Sequence, residues 1–151
     1  METKNHSKVI LIVESDPDVI YLISEAIDEI RMDVSLVVVS NGNELLDYLN
    51  QKGKYADLTE HWLPGLILLG LDIPEGNNAG ILSDLKKLPK FKRIPVVVLG
   101  ASDSEKTVSA AYDMGASGYI VKTAKFQELC GWISRIGAYW FETVLLPTIN
   151  D

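Results

Sequence analysis

At 151 residues, 47% of them hydrophobic, the chain is long enough for one domain with a full apolar core, and it needs neither disulfides nor metal to hold it. A formal net charge of −7 argues against a nucleic-acid partner, because phosphate binding requires a basic patch. The single cysteine, Cys130, excludes an internal disulfide and a cysteine-rich zinc site, and no apolar run approaches membrane-spanning length.

Residues 1–7 are polar, read as a flexible tail, and lack the long apolar region of a signal peptide, so a cytoplasmic protein is expected. Val9 to Val13 is a first strand. Asp16-Pro17 then carries a helix-start signature, Asp as N-cap and Pro at the first helical position. Val19, Ile20, Ile23, Ala26, Ile27 and Ile30 recur at the spacing of one helical face, and Asp18, Glu25, Asp28 and Glu29 make a solvated outer side. Val34 to Val39 is a β-branched second strand, followed by a turn at Ser40 to Asn43 and a helix from Glu44 to Lys52. Gly53 to Pro64 reads as the longest loop; His61 lies in it with no second ligand at metal-binding spacing.

Leu66 to Leu69, four large aliphatics in succession, reads as a strand buried on both faces, ending at Gly70. Pro74 to Asn78 is turn-prone, and a short helix spans Ala79 to Leu88, closed by Pro89. Ile94 to Leu99 is a fourth strand. Ser102 or Asp103 is expected to cap the next helix, which Gly115 to Gly118 ends. Tyr119 to Val121 is a fifth strand, and Phe126 to about Ile136 a fifth helix containing Cys130 as a small buried hydrophobe. The strand–helix alternation predicts a doubly wound parallel α/β sheet with helices on both faces. Ligands of such sheets bind at the carboxyl ends of the strands. Residues 139–151 form an extension whose Tyr139, Trp140 and Phe141 either fold back on the domain or contact another chain.

Gly115-Ala116-Ser117-Gly118-Tyr119-Ile120-Val121-Lys122, together with Ile67 to Pro74 and Ile94 to Leu99, resembles the bacterial response-regulator receiver domain, CheY-like, over about residues 8–138. The aromatic extension is similar to that of small stand-alone receivers serving phytochrome-type histidine kinases. The resemblance implies a flavodoxin-like fold with five strands in the order 2-1-3-4-5. It also implies a histidine kinase or other signalling protein as partner, and a homodimer contact through Tyr139, Trp140 and Phe141. In the family, an aspartate ending the third strand accepts a phosphoryl group, two acids after the first strand hold Mg²⁺, and a hydroxyl and a lysine contact the phosphate.

Carried over by position, the phosphoacceptor is Gly70, the acidic pair is Glu14 and Ser15, the hydroxyl position is Gly100, the lysine is Lys122 and the switch aromatic is Tyr119. Thr123 stands where the family has proline, and a cis bond is rare without one. Glycine offers no nucleophile, so the expectation is a pseudo-receiver, not an enzyme, with weak or absent Mg²⁺ binding. Lys122 is expected to pair with Glu14, either as an ordinary ion pair filling a vacant pocket or as a permanent mimic of one signalling state. The alternative is phosphorylation at Asp72, with Asp16 and Glu14 holding metal; against it, Asp16 reads as a plain N-cap. A flavin-binding protein is disfavoured because no Gly-rich phosphate-cradling loop precedes a helix, and an adaptor acting through the extension remains open.

Overall fold

The computed structural model describes residues 8–57, 63–71 and 78–147; of residues 78 and 79 only the backbone is described. Strands β1 (Val9–Val13), β2 (Ser35–Val39), β3 (Leu66–Gly70), β4 (Val96–Gly100) and β5 (Gly118–Val121) form one parallel sheet in the order β2-β1-β3-β4-β5. Helices α1 (Pro17–Glu29), α2 (Gly42–Asn50), α3 (Asn78–Lys87), α4 (Glu105–Asp113) and α5 (Phe126–Gly137) connect and follow the strands. This is the expected flavodoxin-like arrangement. The chain changes direction across the sheet at β1, which places the crevice between the carboxyl ends of β1 and β3.

Successive strand residues face opposite sides, and the core is divided accordingly. Ile10, Ile12, Leu66, Leu68, Val97 and Leu99 pack beneath α1 and α5 through Ile23, Ala26, Ile27, Leu129, Ile133 and Ile136. Leu11, Val13, Ile67, Leu69, Val96 and Val98 pack beneath α2, α3 and α4 through Leu45, Leu49, Leu82, Leu85 and Ala111. The three central strands are buried at every position, which is why their sequences are unbroken apolar runs.

Helix ends follow local chemistry. Asp16 caps α1, its Oδ1 accepting from the Asp18 amide at 2.9 Å. α2 starts two residues before the expected Glu44, because Asn41 accepts from the Glu44 amide at 2.9 Å while Glu44 accepts from the Ser40 amide at 2.5 Å. The Asn41 cap, with Glu44 reaching back to the amide one residue before it, fixes the helix start. Burial pushes the Glu44 carboxyl up, but Lys54, 2.6 Å away, and the Ser40 amide hold it below its usual value. The expected cap of α4 is corrected: Ser104 caps it, accepting from the Thr107 amide, while Ser102 Oγ accepts from the Ser104 amide. Gly115, at φ 109°, ends α4 as the glycine pattern suggested. His61, Trp62 and Asp72 lie outside the described residues.

α5 passes directly into a π-helix over Ala138–Thr143, closed by the Thr143 hydroxyl donating to the Ala138 carbonyl at 2.7 Å. Trp140 and Phe141 turn back against the α1–α5 core, whereas Tyr139 is 52% and Leu145 97% exposed. No helix among the described residues is long and apolar enough to cross a membrane. Trp140→Ala is therefore expected to lower stability by about 1–3 kcal/mol, and Leu145→Ala to change it by about 0.5 kcal/mol at most, read from urea unfolding midpoints.

Candidate functional site

The parallel register places the carboxyl ends of four strands side by side. Val13 stands opposite Leu69, Gly70 opposite Leu99, and Gly100 opposite Val121. The ladder continues past the strands: the Leu71 amide donates to the Leu99 carbonyl at 3.0 Å and the Lys122 amide to the Gly100 carbonyl at 2.9 Å. Alternation then sorts the side chains. Glu14 follows Ile10 and Ile12, Gly70 follows Leu66 and Leu68, and Lys122 follows Ile120, all on the α1–α5 side. Gly100 follows Val96 and Val98 on the other side, where Tyr119 also packs.

Glu14 is the one charged residue among the buried described residues, 3% exposed. Its Oε1 lies 2.9 Å from Lys122 Nζ. That approach falls outside hydrogen-bonding geometry at Oε1, so it is an attraction of charges more than an aligned bond. Its Oε2 accepts from the backbone amides of Ser15 and Asp16, each at 3.2 Å. Two amides at the approach to α1 and one ammonium thus offset the loss of water around the carboxylate. The carboxylate also occupies space that a side chain at residue 70 would need. A Cβ built on Gly70 stands 2.8 Å from Glu14 Oε1 and 3.0 Å from the Val13 carbonyl oxygen. Behind Lys122 a narrow apolar crevice runs between α1 and α5, bordered by Leu22, Leu99, Leu129 and Trp132. Lys122 lines this crevice, with its head at Glu14.

On the opposite face the Tyr119 ring lies over Gly100, and its hydroxyl donates to the Ser102 carbonyl at 2.6 Å. A Cβ at residue 100 would collide with the tyrosine hydroxyl and stand 2.7 Å from Cζ. Tyr119, the expected switch aromatic, takes this inward orientation. Ser102, read from sequence as a helix cap, is the acceptor that holds it; only the contact across the β4–β5 ends reveals that role.

The expected pair of Glu14 and Lys122 is thus brought together, with Gly70 between the strand ends. Ser15 and Asp16 are exposed and contribute backbone amides to Glu14. The Thr123 hydroxyl donates to Glu128 and accepts from the Lys125 amide at the start of α5, and the described peptide bonds include no cis bond. Among the described residues no three His, Cys, Asp or Glu side chains converge to hold a metal ion. The one buried carboxylate at the strand ends is already matched by an ammonium, so the described residues do not fit a divalent cation.

A parallel five-stranded sheet in this order, with acid, lysine and aromatic gathered at its carboxyl edge, defines a signalling receiver. The chain belongs to the response-regulator receiver family: the family model for the response regulator receiver domain matches residues 10–134. It is therefore a receiver of two-component signalling. It is similar to the response regulator Rcp1 of Synechocystis sp., 34% identical over 146 residues and covering 97% of each chain. Among solved structures it resembles the phosphorylated cyanobacterial phytochrome response regulator RcpA, with TM-score 0.82, 36% identity, and coverage of 94% of this chain and 99% of that one. It also resembles RPA3017, a response regulator in red light signalling of R. palustris, with TM-score 0.88, 26% identity, and coverage of 93% and 98%.

Lys122→Met leaves the Glu14 carboxylate buried without its counter-charge. The loss expected at neutral pH is about 3 kcal/mol, at the low end for a buried pair because Lys122 is 22% exposed. Glu14→Gln combined with Lys122→Met is expected to be less costly than the sum of the two single changes, measured in a double-mutant cycle.

Proposed function

We propose that this chain is a pseudo-receiver: a response-regulator receiver that acts by protein–protein contact and is not phosphorylated at the end of β3. The observation that carries the reading is Glu14. Its carboxylate takes the volume a side chain at residue 70 would fill and is matched there by Lys122. In this reading Gly70 holds the phosphoacceptor position and Gly100 the hydroxyl position, so nucleophile and hydroxyl are both missing. Lys122, the phosphate contact in the family, neutralises an internal carboxylate instead. The relatives named as phytochrome and red-light response regulators support a phytochrome-type histidine kinase as partner, and a cytoplasmic setting is part of the same proposal. Of the residues considered for a homodimer contact, Tyr139 is exposed and available, while Trp140 and Phe141 are partly committed to the chain's own core.

Acetyl phosphate or beryllofluoride with Mg²⁺ is expected to leave both the intact mass and the amide NMR spectrum unchanged. A stoichiometric adduct, including one mapped to Asp72, overturns the reading. Restoring a carboxylate by Gly70→Asp alone is expected to destabilise the protein by about 1–3 kcal/mol, since the new side chain must displace Glu14. Adding Glu14→Ala to that variant is expected to recover most of the loss, measured by thermal and urea unfolding.

A further inference from the structure

We propose that the outer edge of β2 pairs with itself: a second copy of this chain sets its own β2 antiparallel against it, joining two five-stranded sheets across a two-fold axis beside Val37. This goes beyond the pseudo-receiver reading and does not rest on it, since no residue of the strand-end site takes part.

The parallel ladder decides which groups of β2 are committed. The Ser35 amide donates to the Lys8 carbonyl at 2.9 Å, and the Val39 carbonyl accepts from the Glu14 amide at 3.0 Å. Residues 35, 37 and 39 therefore turn their main-chain groups to β1, in a register that runs from Val9 opposite Ser35 to Val13 opposite Val39. Leu36 and Val38 turn theirs the other way, to the end of the sheet, where no group among the described residues takes them up. The donors on either side are spent locally: the Val34 amide donates to the Met32 carbonyl and the Ser40 amide to the Glu44 carboxylate. The donors and acceptors that the edge offers as matched sets thus belong to Leu36 and Val38.

Edge strands are ordinarily defended by a charged side chain, a proline or a bulge. β2 has no such defence. Residues 34–43 contain neither a charge nor a proline, in a chain whose net charge is −7. Val38 stands 37% exposed on this edge. An extended, uncharged, β-branched segment of this kind is suited to pairing with another strand.

The occupant that fits is an identical edge. Antiparallel pairing about Val37 sets Leu36 opposite the partner's Val38 and Val38 opposite the partner's Leu36. Each pair exchanges both of its main-chain bonds, so every N–H and C=O that the two residues present is used. Leu36, which packs on the α1–α5 side, meets the partner's Val38 there, and Val37 meets the partner's Val37 on the α2–α3 side. The charges agree with this register. Asp33 comes opposite the partner's Asn41, an acid against an amide, so two acidic chains meet where neither sets like charge against like. The contact is isologous and therefore closes at two copies, consuming the open β2 edge of both.

The test is amide hydrogen exchange by NMR on the full chain, read beside sedimentation equilibrium from micromolar to millimolar protein. The mass is expected to rise from one chain toward two, and the Leu36 and Val38 amides to gain roughly tenfold or greater protection with it, while the Val37 and Val39 amides, turned to β1, are protected throughout. Val38→Pro removes an outward donor and sets a ring against the partner strand without touching the β1 ladder, and is expected to remain monomeric. Should Val38→Pro not fold, Val38→Lys at the same exposed position is expected to move association to roughly tenfold higher concentration at low salt. A chain that is monomeric at millimolar concentration, Leu36 and Val38 protection that does not vary with concentration, or a folded Val38→Pro that dimerises like the wild type overturns the pairing. So does a dimer in which these two amides exchange as they do in the monomer, the result that contact through Tyr139 gives. An adduct in the acetyl phosphate experiment removes the pseudo-receiver reading and leaves the β2 pairing standing.

Discussion

A carboxylate buried at 3% exposure is the constraint around which the strand ends are arranged. Glu14 leaves water at a cost of several kcal/mol unless donors replace the lost hydration. The donors come from two places: the amides of Ser15 and Asp16, held by the approach to α1, and Lys122 just past β5. These reach one point only if β1, β3, β4 and β5 lie in that order and in register, so the fold supplies the convergence. The pair is weak evidence for stability as such, since ion pairs of this kind roughly break even against apolar replacements. Its significance lies in position: it stands at the point where a parallel sheet offers a ligand site.

Much of this was legible from the chain. Strand alternation places 10, 12 and 14 with 66, 68 and 70 on one side of the sheet, and 96, 98 and 100 on the other. The Glu14–Lys122 pair was legible through the resemblance to the receiver family, which places both residues at one strand-end pocket, and the alternation of the strands agrees with it. Sequence reading did not reach the Tyr119 hydroxyl on Ser102, because that contact joins residues 17 apart through a backbone carbonyl, for which no residue type gives a signal. The cap of α4 moved to Ser104 for a related reason: several short polar residues run together, each able to cap, and the loop path selects among them. The start of α2 lies two residues before the expected Glu44 because Asn41 caps it from within the stretch read as a turn.

The aromatic extension shows where composition alone divides. Tyr139, Trp140 and Phe141 look alike as a run of apolar surface, yet the π-helix turns Trp140 and Phe141 onto the α1–α5 core and leaves Tyr139 outside. The same segment thus completes the core with some residues and presents others, which is why folding back and contacting a second chain are compatible.

The two filled vacancies lie on opposite faces of the sheet, Glu14 over Gly70 on one and Tyr119 over Gly100 on the other. Layered this way, they are separate sites with a wall of backbone between them. A change at one position therefore leaves the packing at the other untouched, and the two can be altered independently.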